Sequence, residues 1–287
     1  MTENTAKYLV QEGQELFSLP DIYYQLREMT GNPRFSINDI ALVITKDPAL
    51  SARLLKIVNS AFYGCQARID TISRAITVIG NENLRSLILA TSIVNTFNRI
   101  PHDLVDMTAF WLRSVNCAVI ARLLAKKCAV LHCERLLLAG LLHDIGSLVL
   151  YTQIPDKSLQ VLLAADHNRG LVAGLEQEII GFTHAQVGAE LIESWGLPDS
   201  LSEAIRYYLT PEKALVHKLD AHLLYLATRL ADGKGQQRAV PEILAEISDE
   251  TLSIVRLSES QIAELMNRAD NEFEQVFESL GPGKRFH

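Results

Sequence analysis

Apolar residues return along this chain at intervals of three and four, the spacing that lines one face of an α-helix. Ile37, Ile40, Ala41 and Ile44 form one such stripe, behind Ser36 as a cap and with Asp39 in the first turn. Asp47 and Pro48 fit the N-cap and first position of a second helix, whose stripe is Leu50, Leu54, Ile57, Val58 and Ala61, with Gly64 beyond its end. Thr183 and Gln186 have the spacing of a capping box ahead of Val187, Leu191 and Ile192. The longest stripe is Ile262, Leu265, Met266, Ala269, Phe273, Val276, Phe277 and Leu280. It starts behind a Ser258/Gln261 box, with Leu257 placed to staple onto Ile262, and Gly281-Pro282 should stop it. No run alternates strictly with hairpin turns between, as strands require. The pattern predicts an all-α protein.

Two breaks divide the expected helices. The turn Arg99-Ile100-Pro101-His102-Asp103 closes an N-terminal helical half, 1–103, and Asp232-Gly233-Lys234-Gly235 closes a second half, 104–235. Residues 236–287 then form a C-terminal helical extension, whose long stripe offers a candidate dimer surface or packs on its own domain. With 48% hydrophobic and 21% charged residues, the 287-residue chain can bury a sizeable core. A net charge of −7 opposes a nucleic-acid surface, which needs clustered Lys and Arg. No apolar run is expected to reach the roughly 18 residues of a membrane span. Met1–Phe17 lacks the apolar core of a signal peptide, and the four cysteines show no disulfide framework. A cytoplasmic protein with free thiols is expected, without membrane or nucleic-acid partners.

Candidate chemistry centres on Leu138-Ala139-Gly140-Leu141-Leu142-His143-Asp144-Ile145-Gly146, which reads as an apolar helix carrying an imidazole beside a carboxylate. Adjacent helical residues point about 100° apart, so the pair can flank one small volume. Buried ionisable groups are costly unless paired or bound to a metal. Cys128-x4-Cys133 around His132 has no second ligand pair nearby, and free thiols are the plainer reading. Tyr23-Tyr24 and Tyr207-Tyr208 read as core or rim aromatics, and Arg122, Lys126 and Lys127 as a solvated helix face.

Two segments together resemble the HDOD family, degenerate relatives of HD-type phosphohydrolases found in bacterial signalling. The first is Asp47-Pro48-Ala49-Leu50-Ser51 through Asn59-Ser60-Ala61-Phe62-Tyr63-Gly64, with Ile72-Ser73-Arg74-Ala75-Ile76 following. The second runs from Phe110-Trp111-Leu112-Arg113-Ser114 through His143-Asp144 to Val187-Gly188-Ala189-Glu190-Leu191 and Trp195-Gly196-Leu197-Pro198. The resemblance covers residues 15 to 230 and implies an all-helical HD-like domain with a regulatory role.

An active HD site looks like His…His-Asp…Asp around one or two divalent ions. Matched to that pattern, the first His is replaced by Arg113, the final Asp by Thr228, and a later His-His pair by Tyr207-Tyr208. His143, Asp144 and His184 are left as candidate ligands, and Asp232, four residues beyond Thr228, either substitutes for the missing Asp or is a solvated helix end beside Gly233. One carboxylate offers little charge to a hard divalent ion, and Arg113 adds a fixed positive charge. The sequence therefore predicts a vestigial metal site with no catalytic residues and no cofactor. Arg113 either pairs with Asp144 or lies solvated on a helix surface. The expected function is non-enzymatic signalling through a protein partner, with a homodimer as one possibility. The alternative is a metal-dependent phosphohydrolase using Mn, Fe or Mg on His143, Asp144 and His184. A nucleotide sensor ranks third, because no basic cluster is evident along the sequence.

Overall fold

The computed structural model describes residues 5–65, 67–97 and 104–280. Among them the regular elements are all helical: α1 (Ala6–Glu12), α2 (Asp21–Gly31), α3 (Ile37–Thr45), α4 (Pro48–Val58), α5 (Ile72–Phe97), α6 (Met107–Lys127), α7 (Glu134–Leu142) and α8 (Ile145–Gln153). Then come α9 (Pro155–Ala165), α10 (Arg169–Ile179), α11 (His184–Ser194), α12 (Asp199–Tyr207), a 3-10 turn (Pro211–Lys213), α13 (Lys218–Gly235), α14 (Val240–Leu244), α15 (Asp249–Val255) and α16 (Glu259–Leu280). The caps read from sequence are present. Ser36 and Asp39, and Thr183 and Gln186, form reciprocal boxes, and Asp47 accepts from the Leu50 amide ahead of Pro48. Ser258 and Gln261 exchange the same two hydrogen bonds at the start of α16.

The chain forms two compact units, and both are discontinuous in sequence. One comprises Met1–Ser18 with Ile100–Leu265, the other Leu19–Arg99 with Met266–His287. The sequence reading drew three consecutive segments instead. It had no means of showing that the chain's first helix and its last return to units built mainly from other stretches. The expected turn at Arg99–Asp103 and the stop at Gly281-Pro282 lie outside the described residues.

In the smaller unit α5 packs on α2, α3 and α4 around Leu26, Ile40, Ile44, Leu54, Ile57 and Leu84. Gly80 kinks α5 with φ 80°, a conformation that L-residues resist. Met266, Ala269, Val276 and Leu280 of the α16 stripe belong to this unit and are buried, and Ile262 and Leu265, which belong to the larger unit, are buried too. Gln275 on α16 accepts the Ala61 amide at 2.6 Å.

In the larger unit α6 packs against α7 and α13, while α11 packs against α8, α12 and α1. Trp111, Val115, Cys117, Ala118, Val119, Ile120 and Leu124 of α6 are fully buried, so most of this helix lies inside the unit. That corrects one expectation. Met107–Lys127 and Glu134–Gln153 are long and apolar enough to cross a membrane by length and composition, although most of each is buried within the fold. Within the expected break Asp232-Gly233-Lys234-Gly235, the helix stops only at the last residue. Helix α13 continues to Gly235, and Gly233 lets Ile243 press onto its backbone where a Cβ would collide.

Candidate functional site

His143 and Asp144 do not lie inside a helix. They form the break between α7 and α8, His143 as C-cap and Asp144 as N-cap with φ −107° and ψ 8°. Gly146 explains why the pair sits deep. A Cβ there would overlap the His184 carbonyl and the Gly188 amide, so only glycine lets α8 approach α11 closely enough to bring Asp144 toward His184.

Asp144 is a crowded carboxylate. Its Oδ2 accepts directly from the Arg113 guanidinium, and Arg169 Nη1 lies 3.5 Å from the same oxygen. Its Oδ1 accepts from the Ser147 hydroxyl at 2.8 Å, with His184 Nε2 at 3.6 Å. The Arg113 side chain is only 18% exposed and that of Asp144 8%, so the pair is largely withdrawn from water. Asp232 completes a line of charges, with Oδ1 3.6 Å from Arg113 Nη1. It is therefore not a solvated helix end, because α13 stays helical and keeps Asp232 on the face of Thr228.

His184 is clamped from both ends of its ring. Nδ1 lies 2.6 Å from a Glu176 carboxylate oxygen that also accepts the His184 backbone amide at 2.8 Å. In the neutral imidazole the Nδ1 proton goes to Glu176 and the Nε2 lone pair takes the Tyr208 hydroxyl proton, at 2.6 Å. His143 donates from Nδ1 to the Gly140 carbonyl at 2.7 Å, and its ring meets Tyr208 edge-on at 5.5 Å. Burial, aided by the Arg113 charge, holds His143 well below the ordinary imidazole pKa. Burial also pushes the Tyr208 phenol up. Burial and the like charge of Arg169 together push Arg113 down.

These commitments decide how well a divalent ion fits. Asp144 gives one oxygen to Arg113 and the other to Ser147, and His184 has both nitrogens engaged. Thr228 turns its hydroxyl to the Tyr225 carbonyl at 2.7 Å. Among the described residues no three His, Cys, Asp or Glu side chains are grouped as a metal site would need. The residues do not fit a divalent metal in this arrangement, because the fixed positive charge of Arg113 already holds an Asp144 oxygen.

The sequence brought His143, Asp144, His184, Arg113, Tyr208 and Thr228 into view, and the fold gathers all six around one cavity of about 1230 Å³, with Tyr207 on its wall. Glu176 and Arg169 were missed. Nothing local marks either: Glu176 shares α10 with Glu178, and only the fold buries it, at 2% exposure. The expected lack of a basic cluster is corrected as well. Arg113, Arg169, Arg206, Lys213 and Arg229 reach the same cavity from five separate elements, a convergence invisible to a scan for charge runs. The thiols Cys65, Cys117, Cys128 and Cys133 are free, and Cys128 donates to the Val255 carbonyl.

A discontinuous all-helical fold with a His-Asp doublet at a helix break is the architecture of an HD-like domain. Residues 16–211 match the HDOD domain family, and the chain belongs to it. A curated protein of Treponema pallidum (strain Nichols), itself uncharacterized, is 24% identical over 284 residues covering 95% of this chain. The chain spans about half the length of that relative, 52%. Two solved structures share the fold. A protein of Shewanella amazonensis SB2B provisionally named a phosphohydrolase aligns with TM-score 0.76 and 24% identity, over 95% of this chain and 98% of its own. One of Marinobacter aquaeolei VT8 provisionally named a signal transduction protein aligns with TM-score 0.70 and 24% identity, over 95% of this chain and 60% of its own.

Proposed function

We propose that this chain is a non-enzymatic regulatory module that acts through protein contacts, with a former metal site closed by an internal cation. The observation that carries this reading is the Arg113 guanidinium on Asp144. It supplies positive charge where an HD-type enzyme places an ion, and it consumes the carboxylate that would hold one. A contact role is supported by Leu215 and Val216, each 78% exposed. Glu203 accepts the backbone amides of Leu215, Val216 and His217 at 2.6, 2.9 and 3.0 Å. An apolar tip fixed in this way loses little conformational entropy when a partner covers it.

One observation favours the phosphohydrolase alternative. Arg113 stands between Asp144 and Asp232, so its departure would leave two carboxylates beside His143 and His184. Elemental analysis of protein expressed with added manganese and iron separates the two readings. The regulatory reading expects far less than one metal per chain. Near-stoichiometric metal that disappears in Asp144→Ala, with metal-dependent phosphoester cleavage, would overturn it.

A further inference from the structure

The cavity floor holds more hydrogen-bond donors than acceptors. A guanidinium offers five N–H groups and no acceptor. Arg113 uses one side of its fork on Asp144, its Nη1 lies 3.6 Å from Asp232, and its Nε is buried with no hydrogen-bond partner. Arg169, half-exposed above it, makes one long contact with Asp144 at 3.5 Å. The oxygens of Asp144 are shared among Arg113, Arg169, Ser147 and His184. Burial, and after it the like charge of Arg169, lowers the Arg113 pKa, while Asp232 opposes the shift.

One stretch of the wall beyond the floor is apolar. Leu104, Val105, Phe110, Leu159, Leu162 and Leu163 line it, and Leu159 and Leu163 stand 43% and 71% exposed on α9 at the cavity. Exposed leucines along a cavity that ends in guanidinium donors match a ligand with a polar head and an apolar body.

We infer that the cavity binds a small amphipathic molecule whose terminal oxyanion, a carboxylate or a phosphate, sits between Arg113 and Arg169 with its apolar body along Leu159, Leu162 and Leu163. Oxyanion lone pairs complete the donors that Asp144 leaves unused. No bond is made or broken. The inference rests on the reading that no metal holds the floor, and it makes the cavity a sensing site rather than a residue of lost chemistry.

Calorimetric titration of the full chain in EDTA with octanoate, octyl phosphate and octanol tests it. One or both anions should bind saturably at one per chain, and the stronger of the two identifies the headgroup. Octanol should bind about tenfold more weakly or worse, the loss expected for one charge-assisted hydrogen bond. Arg169→Ala should weaken the anion by a similar factor, and Leu163→Ser should weaken every alkyl probe. Absence of saturable binding by either anion, or binding unchanged in Arg169→Ala, overturns the inference. Cleavage of octyl phosphate is followed separately with added Mn²⁺. Turnover there would overturn the metal-free reading, whereas failure to bind in EDTA would overturn this inference alone.

Discussion

Removing the Arg113 charge should be among the most damaging single changes in the larger unit. In Arg113→Met the aliphatic stem is largely kept, and the buried Asp144 carboxylate retains the Ser147 hydroxyl at 2.8 Å and Arg169 at 3.5 Å. Breaking one side of a buried ion pair costs about 3–5 kcal/mol, chiefly because the survivor stays charged and desolvated. Arg169 already points at the same oxygen and can close part of the gap, which puts the expected loss near the lower end, about 3 kcal/mol. Asp144→Asn should then rescue much of that loss. A double-mutant cycle should give a coupling of roughly 2 kcal/mol. Both tryptophans of the chain, Trp111 and Trp195, lie in the larger unit, so urea unfolding followed by tryptophan fluorescence reports on the unit that holds the pair. A loss below about 1 kcal/mol with a coupling under about 0.5 kcal/mol would show a solvated pair of ordinary surface strength. The closed-site reading would then lose its support.

Two further outcomes follow from the geometry. Gly146→Ala should destabilise the larger unit by about 3 kcal/mol, at the upper end for overpacking, because the new methyl meets backbone atoms of α11 that cannot rotate away; a stable variant with unchanged unfolding would contradict the close helix crossing. His222 is buried with Nδ1 on Thr251 at 2.9 Å and Nε2 unpartnered, and burial lowers its pKa. The unfolded chain therefore takes up the proton first, so stability is complete above about pH 6.5 and falls with acidification by up to ~1.4 kcal/mol per pH unit. Subtracting the urea-derived stability of His222→Leu at each pH should isolate this slope, and parallel curves between pH 7.5 and 5 would refute it.

The contrast between His184 and Asp232 shows why parts of the site were legible in the sequence and parts were not. The Thr183/Gln186 box fixes where α11 begins, and with it the position of His184 in the first turn; local hydrogen bonding sufficed. Asp232 sits beside a glycine that normally argues for a helix end. Only the packing of Ile243 against Gly233 shows that the glycine serves a close contact inside a continuing helix. Glu176 and Arg169 belong to the same class, being ordinary helical residues until α10 is laid against the doublet.

The amino-acid sequence by itself determined the helical class and the caps that start α3, α4, α11 and α16. Those features depend on contacts within a few residues. Only the tertiary structure decided the discontinuous units, the helix break at His143-Asp144, the clamp on His184 and the meeting of Arg113, Arg169 and Asp144. Partners separated by tens of residues are joined by packing, and no local periodicity records which buried charge will meet which.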